Sequence, residues 1–239
     1  MITVCMATLN GEPYVAKQLA SILQSPLVDE VLISDDGSSD KTLEIVLESA
    51  DSRVRVLNGP RRGLVRNYEH LLGNSRGDLV FLADQDDVWM PEKVRLMALE
   101  LRTCDLALSD CQVVDENLNV LSPSFFALRG SRPGLLKNLA QNSYLGCCMA
   151  FNRRLLKRAL PFPHRLPMHD WWLGLVAEMY GTVAFLPQPL TLYRRHGANA
   201  SSTSHPSTVG LKRQMAWRLR MAASLAGRWV ARGTSHEAS

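Results

Sequence analysis

Apolar runs of the length that crosses a bilayer, about 18 residues, are missing from this chain. No membrane-spanning helix is expected from it. No basic segment precedes Met1-Ile2-Thr3-Val4-Cys5, which reads as a first strand and not as a secretory leader. Cysteine is sparse and its count is odd: Cys5, Cys104, Cys111, Cys147 and Cys148, with no C-x-x-C spacing. A disulfide framework and a zinc site are both unexpected on that pattern. Reduced, packed thiols in a cytosolic protein are the simple account. Asn199-Ala200-Ser201 has the form of a glycosylation sequon, which carries no weight without secretion. Charge of either sign is also modest. The balance is 27 Lys and Arg against 23 Asp and Glu, a net +4, far short of a nucleic-acid-binding composition. A Gly-rich, basic phosphate loop is absent from Met6-Ala7-Thr8-Leu9-Asn10-Gly11, which argues against a metal-dependent nucleotidyltransferase.

What is present is enough for one substantial core: 239 residues at 46% hydrophobic content favour one domain over two. The first half alternates β-rich runs with helical patterns. Strands are expected at 2–6, 30–34, 54–57, 79–83 and 106–109, and helices at 13–23, 40–49, 65–72 and 91–101. Such alternation predicts an α/β fold, a largely parallel sheet with helices on both faces. In these sheets ligands sit beyond the carboxyl ends of the strands.

Those ends are polar. Thr8, Asn10 and Glu12 follow the first strand. Asp35-Asp36-Gly37-Ser38-Ser39-Asp40 follows the second, Asn58, Arg61 and Arg62 the third, and Asp84-Gln85-Asp86-Asp87 the fourth. Asp and Asn end strands as turn residues anyway, but four such ends on one rim suggest a site. Residues i and i+2 of an extended chain point the same way, so Asp84 and Asp86 project together. Paired carboxylates repel unless a cation lies between them, and Mg²⁺ or Mn²⁺ would leave positions open for phosphate oxygens. Thr8, Glu12 and Asp36 can hold a base and ribose through directional hydrogen bonds. Arg62 can add positive charge to a diphosphate. Ser39 and Asp40 read as a helix N-cap pair.

Thr8-Leu9-Asn10-Gly11, the Asp35–Asp40 turn and Asp84-Gln85-Asp86 together resemble glycosyltransferase family 2, over at least residues 1–200. The resemblance implies the GT-A fold: Rossmann-like, with a mixed, mostly parallel sheet in a single domain. It implies an inverting enzyme that uses a nucleoside diphosphate sugar and Mg²⁺ or Mn²⁺. By motif, Thr8 and Asp36 fall on the nucleoside and Asp86 on the metal; Asn10, Glu12, Asp35, Arg62, Asp84 and Gln85 are the further candidates on the nucleotide-sugar side. Asp84 is expected nearer the ribose or the metal's water shell. Residues 1–110 are expected to bind donor and 111–200 acceptor. Gly146-Cys147-Cys148-Met149, Met168-His169-Asp170-Trp171-Trp172 and Leu192-Tyr193-Arg194-Arg195-His196-Gly197-Ala198-Asn199 resemble bacterial rhamnosyltransferase-like members that build cell-surface polysaccharide. That branch points to a thymidine diphosphate rhamnose donor and a glycan or lipid-linked acceptor. The Q-x-x-R-W motif of processive synthases is absent, which favours addition of one sugar per encounter.

An inverting transfer needs a carboxylate to take the acceptor's hydroxyl proton. Asp170, opening an expected helix at 170–180, is the candidate base; its alternative role is a helix N-cap. Trp171 or Trp172 could stack on a sugar, but adjacent helical residues do not share a face, so one of them should be core. His169 is expected to pack. By motif His196 matches a histidine that completes the metal site in some members, against a structural role. Arg194 and Arg195 face the diphosphate or are solvated. Gly146 permits close backbone approach on the acceptor side, beside cysteines that pack.

The last segment, 201–239, is expected as a Ser/Thr-rich loop followed by a helix. Lys212, Arg213, Arg218, Arg220, Arg228 and Arg232 occur there with no acidic residue among them, and Leu211, Met215, Leu219, Ala222, Ala226 and Trp229 recur at helical spacing. Such a helix can lie on an anionic membrane or pack on the domain. The expected location is cytoplasmic, with peripheral contact at the inner face of the cell membrane as the open alternative. An inactive sugar-nucleotide-binding or partner-binding module is the rival to an enzyme, and the intact Asp84, Asp86 and Asp170 set argues against it.

Overall fold

Strand residues of alternating destination build the protein. In the first strand Val4 and Met6 enter one apolar cluster, while Cys5 and Ala7 enter another. The same alternation separates Val31 and Ile33 from Leu32, and Phe81 and Ala83 from Val80 and Leu82. Strands that bury both faces read as continuous apolar runs, and the sheet they form must be covered on each side. The structure, a computed structural model, describes residues 1–197 and 210–236. The expected loop at 201–208 and the Asn199 sequon lie outside the described residues, as do the side chains of Leu211, Lys212, Arg213, Trp229 and Arg232.

The chain runs β1 (Ile2–Thr8), α1 (Val15–Leu23), β2 (Glu30–Asp35), α2 (Thr42–Glu48), β3 (Val54–Asn58), α3 (Leu64–Asn74), β4 (Leu79–Asp84), β5 (Val88–Trp89) and α4 (Lys93–Glu100). It continues through β6 (Leu106–Val114), β7 (Val120–Ser122), α5 (Phe125–Arg129), α6 (Leu135–Ala140), a 3₁₀ turn at Gly146–Cys148, β8 (Met149–Asn152), α7 (Arg153–Ala159), α8 (His169–Tyr180), β9 (Val183–Arg194) and α9 (Leu211–His236). The expected strands and helices of the first half are all found; the strands run one to five residues longer than expected, while α1, α2 and α4 are two to three residues shorter. The chief extension is β6, which continues through Val114 because Gln112, Val113 and Val114 pair with β9.

Sheet order is β3-β2-β1-β4-β8-β6-β9-β5, with β7 paired to β6. β1 runs parallel to β2 and β4, and β2 parallel to β3. β8 enters antiparallel between β4 and β6, while β6 and β9 are parallel. The register matters for function. Thr8 pairs with Asp35, Ala7 with Asp84, and Asp35 with Asn58, so the polar strand ends share one edge.

The α9 helix packs on the domain. Met221 and Leu225 are buried, Trp217 lies against the core, and the Arg218 guanidinium donates to the Ala140 carbonyl. Arg228 donates to the carbonyls of Arg158, Leu160 and Pro161. No helix is long and apolar enough to cross a membrane among the described residues.

Candidate active site

A cleft of about 520 Å³ opens at the shared carboxyl edge of β1, β2 and β4. Thr8, Asn10, Asp36, Asp84, Gln85, Asp86, Gly146, Asp170 and His196 all line it. Its floor comes from the strand ends, its far wall from the Gly146 turn and the start of α8, and one side from the end of β9.

Turn chemistry sets the nucleotide-facing rim. Asp35 accepts from the backbone N–H groups of Gly37 and Ser38 and from the hydroxyls of Thr8 and Ser38. Its carboxylate is thereby committed to the turn and stays out of the cleft, a correction to its expected contact with donor. Gly37, at φ +105°, makes the turn possible. Asn10 ties in the same turn, donating its N–H to Ser38 Oγ and accepting from Ser39 N–H. Asp40 accepts from Thr42 N–H, an Asx turn that leads into α2. Glu12 is exposed and accepts from Lys41 N–H at 3.1 Å, away from the cleft. Arg62 is exposed and does not line it either, because the loop turns its backbone inward: Arg61 and Gly63 donate their N–H groups to Asp36 at 2.6 and 2.8 Å. Asp36 therefore anchors that loop, and a carboxylate of four acceptor positions still has room for a ligand.

Gln85 clips β4 to the β1 loop. Its side chain exchanges two hydrogen bonds with the Leu9 backbone, at 2.9 and 3.0 Å. A Cβ at Gly11 would lie 2.3 Å from Gln85 Oε1, so the clip requires glycine there.

Below the clip sits the acidic centre. Tyr68 places its hydroxyl 2.9 Å from Asp84 and 2.8 Å from the Ala83 carbonyl. Burial, reinforced by the charge of Asp86, pushes the Asp84 carboxyl up to about 7. Asp86 Oδ2 lies 2.7 Å from His196 Nε2, and the His196 ring stacks on Tyr14 at 4.8 Å. Arg194 is buried: it donates to the carbonyls of Asp86 and Glu116, and its own N–H reaches Asp87. It braces the acidic loop through backbone groups. Asp84, Asp87 and Cys147 also bring ligand atoms within 4.8 Å of one another. Burial pushes the Cys147 thiol up, however, which keeps its proton, and hard divalent cations prefer oxygen.

The opposite wall carries the buried carboxyl of Asp170, 5% exposed. Burial raises it to about 6, against the backbone N–H groups of Trp171 and Gly146, which favour the charged form. Gly146 is pressed onto this wall, since a Cβ there would stand 3.1 Å from His169 Nε2. His169 stacks on Tyr68 with ring centroids 3.8 Å apart, yet neither of its buried ring nitrogens has a hydrogen-bond partner. Burial lowers it to about 3, so the imidazole is neutral.

Trp171 and Trp172 are in the core and not on the cleft. Their indole N–H groups donate to the carbonyls of Asn138 and Ala159, at 2.7 and 2.9 Å. Helical spacing could exclude one of them from a shared face but not both. Tyr14 and Asn67 line the cleft without having been singled out, for each is a lone residue outside any motif; Tyr193 lines it too, from within the Leu192–Asn199 segment but with no role assigned to it.

The profile of "Glycosyl transferase family 2" matches residues 3–160 of the chain. The dTDP-rhamnosyl transferase RfbG of Shigella flexneri is 28% identical over 89% of this chain and 81% of its own length. The UDP-Glc:alpha-D-GlcNAc-diphosphoundecaprenol beta-1,3-glucosyltransferase WfgD of Escherichia coli is 25% identical over 72% of this chain and 68% of its own. Among solved structures, the mannosyltransferase PcManGT from Pyrobaculum calidifontis, in complex with GDP-Man and Mn²⁺, superposes with a TM-score of 0.62 at 20% identity. The overlap covers 96% of this chain but only 63% of that one, so the likeness establishes the shared GT-A fold.

Proposed function

The chain belongs to glycosyltransferase family 2, and from that premise we propose that it moves one sugar from a nucleoside diphosphate donor to a glycan or lipid-linked acceptor in cell-surface polysaccharide synthesis, with inversion. The observation that carries this reading is the convergence of Thr8, Asp36, Asp84, Asp86 and Asp170 on one cleft. Relatives support its parts: RfbG is a dTDP-rhamnosyl transferase, WfgD acts on a diphosphoundecaprenol acceptor, and PcManGT was solved with a nucleotide sugar and Mn²⁺. Thymidine diphosphate rhamnose is the proposed donor.

Carboxylate oxygens and one imidazole nitrogen suit Mg²⁺ or Mn²⁺. Asp86 and His196, whose ligating atoms lie 2.7 Å apart, are the residues to hold the ion. When bound, such an ion stabilises the charge of the departing nucleoside diphosphate. Asp36 and Thr8 hold the nucleoside at the edge where β1 and β2 end. Asp84, hydrogen-bonded to Tyr68, faces the ribose. Asp170, across the cleft, takes the acceptor hydroxyl proton as the sugar's C1 is attacked from the far side. A carboxyl near 6 is ionised at neutral pH, yet it is a stronger base than an ordinary aspartate. Neutral His169 lines the same wall, with both ring nitrogens buried and unpaired.

A thermal-shift panel of nucleoside diphosphates with and without Mn²⁺ tests the reading. Stabilisation by thymidine diphosphate that depends on the metal is expected. Equal response to every nucleotide, or none to any, would count against it.

A further inference from the structure

Away from the cleft, the α5–α6 connection gathers three cations around a second cavity of about 530 Å³. Arg129 ends α5, Arg132 lies in the loop, and Lys137 stands on α6, with Ser131 between them. None of the three makes an ion pair among the described residues. Lys137 donates to the Ser143 hydroxyl, a neutral partner. The carboxylate on the neighbouring helix, Glu178, is engaged by Gly134 N–H and the Tyr144 hydroxyl. Desolvation and the charges of Arg132 and Arg129 pull the Lys137 ammonium down, so the three repel one another.

Two further atoms point to a ligand. Arg129 Nε and Ser131 Oγ are buried and have no hydrogen-bond partner. Such groups are rare in folded proteins, because a buried donor without an acceptor loses its hydrogen bond to water and gains none. Donors and uncompensated positive charge around one cavity match a phosphate, whose oxygens accept several bonds at once. The surroundings specify where that phosphate is carried. Leu128 and Leu136, next in sequence to Arg129 and Lys137, are 54% and 81% exposed. The bordering helix α9, bonded to Ala140 of the cavity wall, exposes Met215 and Leu219. Apolar side chains beside cations suit the boundary between headgroups and acyl chains.

We propose that this cavity binds the phosphate of a membrane lipid, with Leu128 and Leu136 entering the acyl boundary. The identity of that lipid rests on the proposed function: it is the carrier of the acceptor sugar. Trp171, the neighbour of Asp170, bonds to Asn138 on the helix that carries Lys137. Lys137 is thus linked to the proposed base through Asn138 and Trp171, by one hydrogen bond and two steps along the chain.

The test is flotation of the full chain with phosphatidylcholine vesicles, with and without phosphatidic acid. Wild type should float only with phosphatidic acid. The double variant Arg132→Gln/Lys137→Gln should lose roughly tenfold or more in binding, about 1 kcal/mol per cation near the surface. Binding of wild type to both vesicles alike, or unchanged binding by the variant, overturns the proposal. Inorganic pyrophosphate that raises the Tm of wild type but not of the variant, without any flotation, also overturns it, since the site then takes a soluble anion. Nucleotide-sugar turnover without vesicles reports on the cleft alone. The variant should keep it; its absence in wild type that still floats sinks the proposed function and leaves the lipid site standing.

Discussion

Two groups on one cleft wall are perturbed by the same cause, burial, with opposite consequences. Asp170 is raised to about 6, so its charged form is the disfavoured one. Transfer should therefore rise with pH through about 6 as the base ionises. Stability runs the other way. A carboxyl that binds its proton more tightly folded than unfolded contributes stability at low pH, lost as pH climbs from about 4 through 6. Asp170→Asn should abolish transfer while leaving donor binding intact. From pH 4 to pH 7 it should gain about 2–3 kcal/mol relative to wild type. Denaturant unfolding at the two pH values, beside a turnover assay, checks both; turnover at the wild-type rate rules out the base assignment. His169 is lowered to about 3 and keeps two unpaired nitrogens, a cost with no structural return. His169→Phe would keep the stack on Tyr68 and remove the unsatisfied atoms. The expected result is a Tm at or above wild type with a KM for acceptor raised severalfold. An unchanged KM would make the residue a packing group.

At the scale of elements, the seating of α8 decides where Asp170 lies. The Tyr144 ring covers Gly174 so closely that a Cβ there would stand 2.2 Å from it, while the Tyr144 hydroxyl donates to Glu178 one turn on. The segment leading to Gly146 is thus held against the helix that bears the base. Gly174→Ala gains up to about 1 kcal/mol of helix propensity. The clash falls on a buried ring, and overpacking costs about 1–3 kcal/mol, so the net effect should be destabilising. The variant should melt lower than wild type and lose kcat, because Asp170 moves with its helix. A higher Tm would mean that Tyr144 can step aside.

On the scale of the molecule, α9 closes a face of the core. Met221 and Leu225 are buried, and full burial of such a side chain contributes about 1.5–3 kcal/mol. A chain ending at Thr208 should lose several kcal/mol and several degrees of Tm, read by thermal unfolding. An unchanged Tm would remove the helix from the core. Of the two roles open for a basic amphipathic segment, packing on the domain is the one seen for Met221, Leu225 and Trp217, while Met215 and Leu219 remain outside. The expected division into donor and acceptor halves crosses a single sheet, since β8 of the second half sits between β4 and β6.

Local pattern was enough for the β-α alternation, the strand ends and the acidic residues on them. Runs of β-branched and apolar residues mark buried strands, and parallel strands carry their carboxyl ends to one edge. From that alone Thr8, Asp36, Asp84 and Asp86 had to be near neighbours. What each polar group does was settled by partners far away in the chain. Asp36 is held by the Arg61 and Gly63 N–H groups, 25 and 27 residues on; Trp171 is satisfied by Asn138, 33 before it; and Asp86 meets His196 110 residues on. Periodicity tells which face a side chain takes. Whether a carboxylate, an indole or an imidazole is already satisfied depends on which distant donors and acceptors the packing delivers, and that is a property of the folded chain alone.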